Sequence, residues 1–193
     1  MSTAVEALRQ VVYRKVNPSE AEWDDFIKHW QPFELPKLQI ITDFGEVEDY
    51  FYFVHHGVIR GYFEKGAEEF NIGFSYDGEF SGVYDSFVKR MPSWYCMETI
   101  SATSGLRISH ENLMYLYDKH KVFERWGRLF NEMILTGFGA YMRSLLADSA
   151  EERFNRLMDN APHVFQLIPQ KHLASYLGMT PETFSRMRKK TMG

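Results

Sequence analysis

One cysteine, Cys96, stands in a chain of 193 residues. A single thiol excludes an internal disulfide, a zinc site built from several cysteines and the cysteine set of an iron–sulfur cluster. It fits a reducing compartment. Long apolar runs are lacking as well, and none approaches the ~20 residues that span a bilayer. The opening stretch MSTAVEALRQVVYRK has no long apolar core and reads as a helix rather than a signal peptide. A cytoplasmic protein without a membrane partner is expected. Catalytic patterns are also missing. There is no GxSxG, HExxH, Walker-type loop or paired-carboxylate arrangement, and Cys96 lies mid-strand without a base beside it. Neither an enzyme nor a metal or cofactor site is expected. His55, His56, His110 and His120 lack a supporting pattern and read as surface or core histidines.

Positive charge is in deficit overall, with a formal net charge of -4, but it is not in deficit everywhere. From Pro169 onward the cations are Lys171, Arg186, Arg188, Lys189 and Lys190, and the only acid is Glu182. That segment carries +4, which leaves the remainder at -8. A basic tip on an acidic body directs its positive end toward something anionic. Lysines at a helix C-terminus also complement the helix dipole, so charge alone does not separate the two readings.

What is present falls into three stretches. Residues 1–30 carry helical spacing; in SEAEWDDFIKHW, Ser19 is an N-cap with Glu22 three residues on, and Pro32 and Pro36 close the helical run. From about 37 to 110 the chain becomes strand-like: KLQIITDF, DYFYFVHHG, VIRGYFEKG, EEFNIGFSYDG, WYCMETISATSG and LRIS are short, aromatic and β-branched, with glycines and acids between them. After 110 the helical period returns. ENLMYLYDKH is a short helix, and a long one is expected over Lys121–Ala147. Within it Leu135, Phe138, Met142 and Leu145 form a coiled-coil-like seam, either for a second copy or for packing within the chain. Gly137 and Gly139 weaken the helix there by about 1 kcal/mol each relative to Ala. Ser149-Ala-Glu-Glu152 is a capping box that opens a further helix, which places a domain boundary near Asp148.

The last stretch, IPQKHLASYLGMTPETFSRMRKK, implies two short helices. Pro169 suits the first turn of one, Gly178 ends it, and Thr180 caps a second with Pro181 at its first position. Ala174 is small where a second helix must pack closely. Leu173, Leu177, Met179, Phe184 and Met187 are apolar where the two helices must lock. Packing, turn and exposed face agree in one register, that of a helix-turn-helix. The exposed face of the second helix carries Glu182, Ser185, Arg186 and Lys189. Duplex DNA is the expected partner. Arg186 can donate a bidentate pair to guanine, Glu182 can accept from cytosine N4 and can buttress Arg186, and Ser185 can bond base or phosphate. Gln170, Lys171, Thr180, Thr183, Lys189 and Lys190 read as phosphate contacts that set register. For Lys190 and Arg188 a solvated helix end is an equal alternative.

A β-rich front, a long helix and a terminal helix-turn-helix, in that order, resemble the Crp/Fnr family of bacterial transcription regulators. The likeness runs through DYFYFVHHGVIRGYF, GEFSGVYDSF, ETISATSGLRIS, SAEERFNRLM and the terminal motif. It implies an α+β chain with an N-terminal antiparallel, cyclic-nucleotide-binding-like β-roll as sensor over 1–120, a long dimerisation helix over 121–148, and a winged-helix-like helix-turn-helix domain over 149–193. It also implies a homodimer paired through the long helix, sequence-specific DNA binding and contact with RNA polymerase.

The departures from the family pattern concern the effector. GEFSGVYDSF stands where the phosphate-binding cassette begins, but Gly82 is followed by Val83 instead of the ribose-holding glutamate. The arginine and hydroxyl positions fall on Ser93 and Trp94, and Trp94 is large enough to fill a cavity. Lys89 and Arg90 lie nearby but out of position. Phe138 stands where the long helix would touch a nucleobase. Gly82, Val83, Ser93, Trp94 and Phe138 therefore mark an altered effector pocket. Cyclic AMP in its usual mode is not expected there, and another small molecule, or none, remains open. The alternative function is a small-molecule sensor that signals through protein contact with weak or absent DNA binding. The stretch between Pro162 and Pro169 has room for one or two stubby wing strands at most.

Overall fold

The computed structural model describes residues 2–192; Met1 and Gly193, which end the first and last expected domains, lie outside the described residues. The chain forms two compact units. The first comprises Met1–Gly61 and Phe74–Glu132, and the second Tyr62–Gly73 and Met133–Gly193.

The first unit opens with α1 (Ser2–Tyr13) and α2 (Glu20–Lys28). Ser19 caps α2 as the spacing predicts: its N–H donates to Glu22 at 2.8 Å, and its Oγ accepts the Glu22 N–H at 3.3 Å. The chain then forms β1 (Gln31–Leu35), β2 (Ile40–Thr42), β3 (Tyr50–His56), β4 (Ile59–Lys65), β5 (Glu68–Ser75), β6 (Phe80–Ser81), α3 (Tyr84–Lys89), β7 (Cys96–Thr99) and β8 (Thr103–Ser109). The strands make two sheets, ordered β1-β8-β3-β6 and β2-β7-β4-β5. β1 was not anticipated, because Pro32 reads as a helix stop. It pairs antiparallel with β8 in the register Gln31↔Arg107 to Leu35↔Thr103. It is an edge strand, so the missing N–H of Pro32 removes no ladder bond on its open side. Gly57 turns β3 into β4 at φ +107°, where a Cβ would sit 2.5 Å from the Ala102 carbonyl. Only glycine fits that turn.

Two apolar interiors hold this unit. In one, Trp23 and Phe26 of α2 and Trp30 just after it meet Phe123, Trp126 and Phe130, with Phe51, Phe53 and Phe87 from β3 and α3. Phe26 and Phe123 stack at 4.3 Å. Truncating such a ring to alanine costs about 3–5 kcal/mol. The other is the roll interior: Phe33, Tyr52, Val54, Ile59, Val83 and Met97, with Leu35, Ile41, Tyr50 and Tyr95 packed against them.

α4 (His110–Lys119) leads into α5 (Lys121–Ala147), which begins in the first unit and ends in the second. The second unit continues with α6 (Ala150–Asn160), α7 (Val164–Leu167), α8 (Gln170–Tyr176) and α9 (Pro181–Met192). Ser149 caps α6 through the expected box, its N–H donating to Glu152 at 2.7 Å. The segment weighed for wing strands is instead the short helix α7, whose Val164 and Phe165 are buried. Phe165 takes part in a ring cluster with Phe154 of α6 and Phe184 of α9, at centroid distances of 5.3–5.8 Å. A strand would have alternated Val164 and Phe165 to opposite faces; a helical turn brings both inward. Among the described residues no strand follows Ser109.

Candidate nucleic-acid interface

The α8–α9 pair is built by its turn. The Gly178 N–H donates to the Ser175 carbonyl and the Met179 N–H to the Ala174 carbonyl, each at 3.0 Å, with Gly178 at φ +62°. This doubly bonded left-handed stop satisfies the last carbonyls of α8 and swings the chain into α9. Thr180 begins α9, its Oγ1 accepting the Thr183 N–H at 3.3 Å, and Pro181 is the first helical residue. Pro169 stands one place earlier than expected, at the N-cap of α8, with Gln170 as the first helical residue. Ala174, Leu173, Leu177 and Phe184 are buried, whereas Met179 and Met187, expected to lock the pair with them, are only half-buried.

One face is left open. Gln170, Pro181, Glu182, Ser185, Arg186 and Lys189 line a concave groove of about 630 Å³. The three residues read as base contacts thus share one surface with Gln170 and Lys189. Among the described residues no ion pair engages Arg186 or Lys189, so their donors face solvent. Glu182 is held below the ordinary carboxylate range by its own backbone N–H and by the Thr180 hydroxyl. It is an ionised acceptor at the start of α9, turned to the helix N-terminus rather than paired with Arg186. Lys171 is exposed beside this surface. Thr180 and Thr183 are joined hydroxyl to hydroxyl at 3.2 Å within the cap. Lys190 pairs with Glu151 of α6 at 2.7 Å, on an exposed flank.

Arg153 is the residue of this unit that the spacing did not reveal. From α6 its Nε donates to the Leu177 carbonyl at 2.7 Å and its Nη2 to the Gly178 carbonyl at 3.3 Å. It binds the turn from outside and places a cation at the negative end of α8.

The remaining predicted positions divide between the units. In the first unit Val83 is buried in the roll, and its N–H donates to Glu48 Oε2 at 3.4 Å. Glu48 is itself 2% exposed and also accepts from Thr42 Oγ1 at 2.7 Å and the Tyr50 N–H at 3.0 Å. Burial pushes its pKa up, and these donors oppose the shift. Gly82 precedes Val83 at the end of β6. Ser93 is buried and bonds Tyr95 through its hydroxyl. Trp94 is 76% exposed, so it does not fill the roll; the tyrosines at 50, 52 and 95 and Met97 do. Arg90 is engaged by the Glu48 carbonyl and the Asp49 carboxylate. In the second unit Phe138 is 56% exposed. Leu135 and Met142 of the seam are exposed with it, whereas Leu145 is half-buried against the turn at Gly178. Leu146, one residue on, is 81% exposed. No group of three or more metal-ligating side chains occurs among the described residues, and no helix there is long and apolar enough to cross a membrane.

No protein-family model and no curated protein sequence matches the chain. Solved structures do. FixK2 from Bradyrhizobium japonicum superposes with a TM-score of 0.76 at 19% identity, over 84% of this chain and 84% of that one. The global regulator CLP of Xanthomonas campestris gives 0.67 at 18%, over 90% and 92%. The catabolite activator protein of Thermus thermophilus gives 0.59 at 18%, over 94% and 86%. The fold is that of the Crp/Fnr regulators.

Within the Crp/Fnr fold the terminal motif is complete in this chain, from the Gly178 turn to the open groove. In the roll the Val83 amide is bonded by the Glu48 carboxylate, and aromatic side chains pack beside it.

Proposed function

We propose that this protein is a sequence-specific, DNA-binding transcription regulator that acts as a homodimer in the cytoplasm. The observation that carries the reading is the groove, where Glu182, Ser185, Arg186 and Lys189 converge on one exposed face of a helix locked from behind. A protruding helix with an ionised acceptor, a hydroxyl and an unpaired guanidinium in one row matches the donor and acceptor edges of the major groove. Lys171 and Lys189 supply the sequence-independent attraction to phosphate. The exposed apolar stripe of α5 supports pairing with a second copy, because a surface of that kind is seldom left in water. RNA polymerase is the partner through which such a regulator acts.

Cyclic AMP in its usual mode is no part of this reading. Arg90 is engaged elsewhere, Val83 replaces the ribose-holding glutamate, and Glu48 already accepts from the Val83 amide. The regulator then binds DNA without a cyclic nucleotide.

Selection from a random duplex pool at moderate salt, with no added ligand, tests this. Enrichment of a two-fold symmetric sequence, with half-sites about 34–36 Å apart, is the expected result. A pool that stays random with the full chain folded and dimeric would refute effector-free DNA recognition.

A further inference from the structure

The helical unit contains a segment that is not part of the helix-turn-helix: Tyr62–Gly73, the far halves of β4 and β5. Among the described residues β5 is the last strand of its sheet. Ser175, on the final turn of α8, bonds that strand. Its Oγ accepts the Asn71 N–H at 2.9 Å and donates to the Glu69 carbonyl at 3.0 Å. One hydroxyl thus takes the place of a neighbouring strand at two backbone groups. One turn earlier on α8, His172 Nδ1 lies 3.5 Å from the Asn71 side-chain amide. Asn71 is 3% exposed and His172 8%, so this is a covered polar contact rather than a surface one. Phe63 and Phe70 stack across the hairpin at 5.1 Å and stiffen it.

The contact and the groove use different sides of α8. Gln170 lines the groove, and Ser175 is five residues further on, about 140° around the helix. The hairpin can therefore grip α8 while the reading face stays open. The grip includes these hydrogen bonds, and bonds of this kind each add only modestly to stability. The α8–α9 pair is locked separately, by the rings of Phe154, Phe165 and Phe184. Release of the hairpin would free α8 without unfolding the pair.

We propose that the β4–β5 hairpin is a strap on α8, and that the DNA-reading pose of the helix pair depends on its being fastened. The proposal rests on the DNA reading given above. β4 and β5 are continuous with the roll, so the strap is also the stretch through which a change in the roll would reach the reading helices. Strap closure and DNA binding favour the same state, and each must then promote the other.

The test uses the full chain, with Ser175→Ala and the hydroxyl-retaining Ser175→Thr. Amide exchange at Asn71 reports the strap with no DNA present, and titration with the selected duplex reports binding. In the unaltered protein the Asn71 amide should be protected, and more so when duplex is bound. Ser175→Ala should lose that protection and bind the same preferred sequence on the order of fivefold to tenfold more weakly, with helical content unchanged; Ser175→Thr should keep both. Unaltered affinity in Ser175→Ala, once the Asn71 amide is exposed, overturns the coupling. Tighter binding overturns it in the other direction, making the strap a restraint. Failure of the unaltered protein to bind any duplex while Asn71 stays protected overturns the DNA reading and the coupling with it, and leaves the strap as a fold contact only.

Discussion

Arg153 Nε donates to the Leu177 carbonyl at 2.7 Å, so the turn of the helix-turn-helix is held by a side chain 24 residues earlier in the chain. The same guanidinium reaches the Asp148 and Gly178 carbonyls. Hydrogen bonds from a charged donor contribute about 1.5–3 kcal/mol, and a carbonyl left buried without its partner costs a similar amount. Arg153→Met keeps the stem and removes the donors. It should destabilise the helical unit by about 1.5–3 kcal/mol while leaving the first unit intact. The four tryptophans, at 23, 30, 94 and 126, all lie in the first unit, so fluorescence reports that unit and far-UV circular dichroism adds the other. Urea unfolding should show the circular dichroism transition moving to lower urea and the tryptophan transition staying in place. Coincident shifts would mean that Arg153 is not local in its effect.

On the proposed reading face, Arg186 and Lys189 share one groove, and the DNA reading gives them different roles. Arg186→Ala removes a planar donor fork and should cost about 1–3 kcal/mol on the selected site, with relaxed preference at one base position. Lys189→Ala removes a point charge. It should weaken binding to all sequences alike and lower the salt slope by about 1. Binding measured on specific and scrambled duplexes at several salt concentrations separates the two. An equal loss on every sequence for Arg186→Ala would contradict its assignment as a base reader.

How legible these features were from sequence depends on how local their causes are. Both capping boxes, at Ser19 and Ser149, formed as read, because each is complete within four residues. The Gly178 turn and the buried Leu173, Ala174, Leu177 and Phe184 followed from helical period and one glycine. β1 escaped because a proline in a strand is acceptable only at an edge, and the edge is a property of the sheet. α7 escaped because four residues are too few to show a period. Size alone suggests that Trp94 fills the roll, whereas Gly45 and Glu46 pair with the backbone of Ser93 beside it, in a turn that leaves the indole outside. The bond between Asn71 and Ser175 spans 104 residues and has no sequence signal at all.

Acid sensitivity of the first unit has an identifiable source. Asp25 of α2 meets Lys119 Nζ and His120 Nε2, each at 2.8 Å, at the end of α4. Lys119 first, and then His120, holds its pKa down at about 2. A carboxylate with a depressed folded pKa binds its proton more readily when unfolded. Its contribution is complete above the ordinary value of 3.8 and is lost as pH falls through about 2. Asp25→Asn should therefore be less stable than the unaltered protein at neutral pH, and the two should converge between about pH 4 and 2. Tryptophan-monitored unfolding at a series of pH values checks this. A constant difference down to pH 2 would mean that the asparagine perturbs packing rather than charge.

In the proposed homodimer the stripe along α5 sets how two copies meet. A strict heptad selects Leu135, Phe138, Met142 and Leu145, but a helix of 3.6 residues per turn drifts from a seven-residue repeat, and the open row here continues to Leu146. Leu146 is 81% exposed and Leu135 73% exposed, with Phe138 and Met142 between them. Leu145 faces the other way: a Cβ on Gly178 would lie 3.4 Å from its Cδ2. Adjacent leucines are thus assigned to separate tasks. Leu135→Asp and Leu146→Asp should each weaken self-association, because a carboxylate buried in an apolar seam has no partner. Leu145→Ala should leave the mass unchanged and instead lower the stability of the helical unit by about 1–2 kcal/mol, less than a fully buried leucine would. Sedimentation of the three variants beside the unaltered chain distinguishes these outcomes. Dissociation by Leu145→Ala with no response from Leu146→Asp would return the seam to the strict heptad.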